Sequence, residues 1–196
     1  MVVSLFCLFS YLLFKVYLYT YILCIFPLVR GIFGHLSVTC RKNADPPTTC
    51  FLKNNRSSLE HPHFVQQAIT KLLKDGCIEE CSSPPFCVNP LTVVDGKKLR
   101  LVIDLRHVNQ CLIVPKFKYE DLRSLAQVVD QGHCFFTWDL KSGYHHVSIY
   151  QNHQQYLGFA WRFGHITRYF TFRVLPFGLS SACFCFTKIL RPLVKR

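Results

Sequence analysis

Asp139 is the residue with the most chemical promise. It follows Cys134-Phe135-Phe136-Thr137-Trp138, an apolar run that predicts a buried strand over 134–140. A carboxylate at the end of a dry strand needs a metal, a donor or a counter-ion, because an isolated buried charge is expensive. The next residues, Leu140-Lys141-Ser142-Gly143-Tyr144, predict a tight turn that presents backbone N–H groups beside that carboxylate. Carboxylate, turn and aromatic ring together offer oxygen to Mg2+, amides to phosphate and a face to a sugar, as a site for a metal-bound triphosphate requires. A strand-end Asp taken alone serves equally an Asx turn or an ion pair, so its surroundings must decide. His145 and His146 come next; on an extended segment they face opposite sides, cannot share one ion, and are read as structural.

These residues need elements to hold them. Phe64, Val65, Ala68, Ile69, Leu72 and Leu73 recur on one face of a helix starting near His63, with Gly76 as its stop. Ser82-Ser83-Pro84-Pro85-Phe86 is a break. Leu91-Thr92-Val93-Val94, then Asp95-Gly96, then residues 97–105 predict a hairpin whose loop the two lysines lengthen. A helix is expected over 119–129, strands near 156–162 and 166–173, and a helix at about 180–191, capped by Ser180 or Ser181 with Pro192 near its end. The order of elements is mixed α+β rather than alternating βαβ.

The composition fits a packed core and opposes disorder: 50% of the 196 residues are hydrophobic, with 18 Phe and 9 Tyr, and only 17% are charged. The net charge of +12 suits a polyanion, nucleic acid or anionic lipid. Only Lys15 and Arg30 among the cations lie in residues 1–34, so the basic excess belongs to the rest of the chain. The 11 cysteines contain no C-x-x-C and no regular spacing, so sequence alone indicates neither a zinc site nor a disulfide framework. They read as reduced thiols of a cytoplasmic or nuclear chain.

Three segments are expected. Residues 1–34 are almost wholly apolar around Lys15 and read either as a transmembrane anchor or as translated sequence upstream of the working protein. Residues 35–62 read as a linker, and residues 63–196 as the folded domain. If the anchor is genuine, the membrane is a partner and the chain resides there.

Residues 97–109 (KKLRLVIDLRHVN), 135–147 (FFTWDLKSGYHHV), 156–161 (YLGFAW) and 172–190 (FRVLPFGLSSACFCFTKIL) resemble, in order and spacing, the fingers and palm motifs of retroelement reverse transcriptases, of the LTR or tyrosine-recombinase retrotransposon type. The likeness covers about residues 63–196. It implies a right-hand polymerase fold with fingers and a partial palm, acting as an RNA-directed DNA polymerase that adds dNTPs to a primer on an RNA or DNA template with Mg2+ or Mn2+. By this resemblance Asp139 and the carbonyl of Leu140 hold the metal, Ser142 and Gly143 offer amides to the triphosphate, and Tyr144 excludes a ribose 2′-OH. Arg100 would stack on the incoming base, a task suited to a planar guanidinium. Lys97 or Lys98 replaces the family's fingertip lysine, which has no direct match here, and Phe177 and Gly178 form the pocket floor. Core packing is the plainer reading of Phe177, and a solvated hairpin tip that of the two lysines.

The family's Y-x-D-D hairpin has no counterpart in these residues, which contain no Asp-Asp pair. The expectation is a polymerase domain truncated before its second catalytic motif and inactive alone. The alternatives are a basic nucleic-acid-binding module without chemistry and a small membrane-anchored protein.

Overall fold

A computed structural model describes residues 47–112, 114, 116–118, 123, 127 and 140–194, the last four without their side chains. Residues 1–34, most of the expected helix at 119–129, and all but the last residue of the expected strand at 134–140, Asp139 included, lie outside the described residues. Among the described residues no helix is long and apolar enough to cross a membrane.

The chain begins with a short strand β1 (Cys50–Phe51), a helix α1 (Arg56–Glu60) and the amphipathic helix α2 (Pro62–Lys74). Val65 and Ile69 are fully buried on the face of α2 that the sequence periodicity marks, each worth about 1.5–3 kcal/mol. Gly76 ends the helix as expected: its N–H reaches the Leu73 carbonyl (3.0 Å) and that of Cys77 the Leu72 carbonyl (2.9 Å). Strands β2 (Ile78–Cys81) and β3 (Cys87–Asn89) precede the hairpin β4 (Leu91–Val94) and β5 (Arg100–Ile103), whose five-residue connection carries Lys97 and Lys98. After a short helix α3 (Arg106–Asn109) and the few residues described beyond it, the chain is described continuously from Leu140 and runs through a 3-10 turn (Gly143–His146) and a short helix α4 (Gln151–Gln154). Strands β6 (Gly158–Phe163) and β7 (Ile166–Phe172) and helix α5 (Ala182–Val194) complete it.

The main sheet has the order β1-β3-β6-β7-β2, with β1–β3 and β3–β6 parallel and the other pairs antiparallel. Phe159 and Phe170, opposite each other on β6 and β7, stack at 5.2 Å in the core. The architecture is mixed α and β, as the order of elements predicts.

The linker reading of 35–62 needs correction at its C-terminal end, because β1 and α1 lie within it. Polar side chains there are spent on the fold. Asn54 donates to the Ala160 carbonyl (2.9 Å) and accepts the Leu91 N–H (2.9 Å), while Asn55 donates to Thr92 Oγ1 (2.6 Å) and to Asp104 (3.3 Å).

Asn89 is fully buried, and its amide donates to the carbonyls of Tyr156 (3.0 Å) and Gly158 (2.9 Å), tying β3 to the start of β6. Replacing it by alanine strands both carbonyls, and about 2 kcal/mol of stability is expected to go with them. Urea unfolding of the two proteins, read as a fall in midpoint without a change in slope, checks this.

Candidate functional site

The turn after Leu140 rests on one uncommon backbone conformation. Ser142 is the only described non-glycine residue with positive φ, at φ 54° and ψ 40°. Left-handed backbone costs an L-residue about 1–2 kcal/mol, so the surroundings must hold it. They do so through short-range bonds: the Gly143 N–H reaches the Leu140 carbonyl (3.2 Å) and the His145 N–H the Ser142 carbonyl (2.8 Å). His145 and His146 therefore sit in a 3-10 turn and not on the extended segment that the sequence suggests, because the bend at Ser142 continues into the following residues.

Helix α5 backs this turn. A Cβ on Gly143 would lie 2.7 Å from Cζ of Phe186, so a larger residue would have to push that ring aside. Tyr144 is 6% exposed; its hydroxyl lies 2.9 Å from Sγ of Cys183, and its ring packs on Phe177 (4.9 Å) and edge-on to Phe186 (5.2 Å). Phe177 is 39% exposed and stands at the opening. Leu140, Ser142, Gly143, Tyr144, Phe177 and Phe186 line one small pocket.

Gly178 joins this pocket to the hairpin. It has φ 109°, and a Cβ there would fall 2.3 Å from the Ile103 carbonyl oxygen at the end of β5. Asn109 clamps the same loop, donating to the Gly178 carbonyl (2.9 Å) and accepting the Ser180 N–H (2.9 Å). Arg100 begins β5, about 10 Å of strand from Ile103, and is exposed, as are Lys97 and Lys98. The fold thus gathers five of the singled-out residues around one pocket, sets Gly178 beside it and leaves the three cations on the hairpin. Asp139, one residue before Leu140, lies outside the described residues.

Asn109, Cys183 and Phe186 join the site without having been singled out. Each lies inside a motif recognisable in the sequence, yet its role depends on a contact between distant segments.

The His145 ring meets Phe177 edge-on at 5.5 Å. Burial, and secondarily the neighbouring His146, hold its pKa below the ordinary histidine value, against the pull of Asp75. The unfolded chain therefore binds this proton more readily than the folded one, so the folded state is penalised as pH falls below about 6.5, and the penalty levels off once the folded value is passed. The partly buried His153 acts in the same direction. The melting temperature is expected to fall between pH 7.5 and 5.5, and His145→Gln to flatten that fall; an identical slope in the variant would refute the assignment.

For a hard cation the donor set is correct in kind and short in number. The Leu140 carbonyl accepts the Gly143 N–H and keeps a second lone pair, but no described carboxylate lines the pocket. Among the described residues the pocket therefore offers a divalent cation one oxygen, and a cation held there would depend chiefly on oxygens from elsewhere.

No family model matches the chain. It is 31% identical over 140 residues to a retrovirus-related Pol polyprotein from transposon gypsy of Drosophila melanogaster, covering 67% of this chain and 13% of that one. It is 28% identical over 148 residues to a putative enzymatic polyprotein of Cassava vein mosaic virus, covering 67% and 22%. The chain thus spans less than a quarter of either relative. Its fold matches a solved foamy viral protease-reverse transcriptase in complex with double-stranded DNA at a TM-score of 0.62, with 24% identity, over 85% of this chain and 28% of the other. The resemblance read from the motifs is borne out: the chain is a homologue of retroelement Pol polyproteins and has a reverse transcriptase-like fold.

Proposed function

We propose that this chain forms the nucleotide-binding face of an RNA-directed DNA polymerase of a retroelement. The hairpin β4–β5 acts as part of the fingers and the main sheet as part of the palm. The observation that carries this reading is the convergence of Leu140, Ser142, Gly143, Tyr144 and Phe177 on one pocket directly after Asp139. Asp139 and the Leu140 carbonyl hold the magnesium of an incoming dNTP, which neutralises phosphate charge when bound. The turn amides face the phosphates, although the Gly143 N–H must first leave the Leu140 carbonyl. Tyr144 meets the sugar, and Arg100 with Lys97 or Lys98 closes over the base and phosphates from the hairpin. Template and primer are the polyanion that the +12 charge attracts. With Asp139 as the one carboxylate assigned to the ion and no Asp-Asp pair in the sequence, the 196 residues alone are expected to bind nucleotide without transferring it.

Competition binding of magnesium dTTP against its ribonucleotide counterpart to the full chain tests this reading. The native protein prefers the deoxynucleotide. Tyr144→Ala is expected to erase at least about a tenfold preference by opening room for a 2′-OH, whereas Tyr144→Phe keeps the ring and the preference. Equal affinity for the two nucleotides in the native chain would refute the proposal.

A further inference from the structure

Away from the pocket, at the β1 edge of the main sheet, three metal-ligating side chains meet, and a fourth follows on the turn that carries one of them. Cys50 on β1 and Cys87 on β3 are direct partners in the parallel ladder, so their side chains leave the same face of the sheet. One ligand atom each from Cys50, Cys87 and His107 lies within 4.8 Å of the others. His107 belongs to α3, and its Nε2 and the Cys87 sulfur both approach the Thr48 carbonyl oxygen, at 3.1 and 3.5 Å. Cys111 follows His107 by four residues along a continuous turn, with its N–H on the Val108 carbonyl (3.1 Å). Its sulfur is not one of the three mutually close ligand atoms.

We propose that Cys50, Cys87, His107 and Cys111 form a tetrahedral zinc site. Three thiolates and an imidazole are a donor set that selects Zn2+ over harder cations. Tetrahedral zinc with sulfur at about 2.3 Å and nitrogen at about 2.0 Å places its ligands roughly 3.4–3.8 Å apart, so the cluster of Cys50, Cys87 and His107 needs to contract by at most about 1 Å, and Cys111 must turn in to complete the tetrahedron. With the His107 Nδ1 on the metal, Nε2 would keep the Thr48 carbonyl as the outer partner that a metal-bound imidazole ordinarily finds. Packing alone accounts for buried cysteines, which behave as small hydrophobes, but not for an imidazole among them. Binding releases three thiol protons to solvent and moves no electrons. The ion would fasten β1 and β3 to α3, holding the N-terminal strand to the segment that leads into Asn109 and the nucleotide pocket. The site is independent of the proposed polymerase reading.

Cobalt titration of the reduced, metal-free full chain tests the site. The expected result is a thiolate-to-cobalt charge-transfer band with tetrahedral visible bands, saturating at one equivalent and displaced by zinc. Cys87→Ser and His107→Ala are each expected to weaken cobalt binding at least about tenfold. Cys111→Ser should remove about a third of the charge-transfer intensity, and Cys81→Ser, on β2 at the opposite edge, should change nothing. His107→Ala alters a half-exposed side chain on a short surface helix, so its folding is secure where that of a core cysteine variant is not. Absence of the band in the native chain, its survival in His107→Ala, or a Cys50–Cys87 disulfide forming in the presence of equimolar zinc would overturn the proposal.

Discussion

Asp139→Asn is expected to lower nucleotide incorporation by at least about a thousandfold when the chain is extended by a hairpin bearing an Asp-Asp pair. A thousandfold loss corresponds to about 4 kcal/mol of transition-state stabilisation, within the range that a well-placed divalent ion contributes to phosphoryl transfer. The asparagine keeps size and shape but carries no charge, so it cannot share the ion with the Leu140 carbonyl. The effect should fall on turnover, with dNTP affinity reduced far less, since the triphosphate retains its own magnesium and the turn amides. Primer extension by both proteins, at saturating dNTP, reads it directly. Unchanged extension by the variant would remove Asp139 from the chemistry and the proposed function with it.

The second large effect is structural and begins at Gly178. Alanine there would need a positive φ that L-residues avoid, at about 1–3 kcal/mol, and would also drive its Cβ to 2.3 Å from the Ile103 carbonyl oxygen. A backbone carbonyl inside a strand cannot swing aside as a flexible side chain can. The loop must therefore withdraw from β5, surrendering both Asn109 bonds. A loss of about 3–4 kcal/mol is expected, enough to unfold a marginal domain at physiological temperature. Asn109→Ala removes the clamp without the clash and should cost about 1–2 kcal/mol. Thermal unfolding of both variants separates the two contributions, and a Gly178→Ala protein as stable as the native one would show that the contact with β5 is dispensable.

The elements legible in the sequence are those with a long or well-punctuated pattern. Helix α2 announces itself through its apolar period and Gly76, the hairpin β4–β5 through Asp95-Gly96 between β-branched runs, and β6–β7 and α5 through their apolar density. The short elements are illegible for a common reason. Ile78-Glu79-Glu80-Cys81 is half acidic and becomes a strand because β7 offers it a ladder and Arg168 a partner for Glu80. β1, β3, α1 and α4 run two to five residues and owe their conformation to neighbours, where local propensity is weakest as a guide. The same division holds at the pocket. Leu140 to Tyr144 are contiguous and could be read as one motif, whereas Asn109 and Phe186 matter only because folding brings distant segments together. The Cys50, Cys87, His107 and Cys111 cluster lies at the far end of that scale, with spacings that match no metal motif.

The strand order also governs how the protein can be made. Strand β3 binds β6 through Asn89 and Gly158, which are 69 residues apart, and β2 waits for β7, which emerges later still. At a synthesis rate of about 5–20 residues per second, the β6-facing edge of β3 is left open for roughly 3–14 s before that partner exists. Throughout that interval the nascent chain displays unpaired strand edges and the apolar face of α2. Its yield in a cell is therefore set by what shelters the growing chain on the ribosome as much as by the stability of the finished fold.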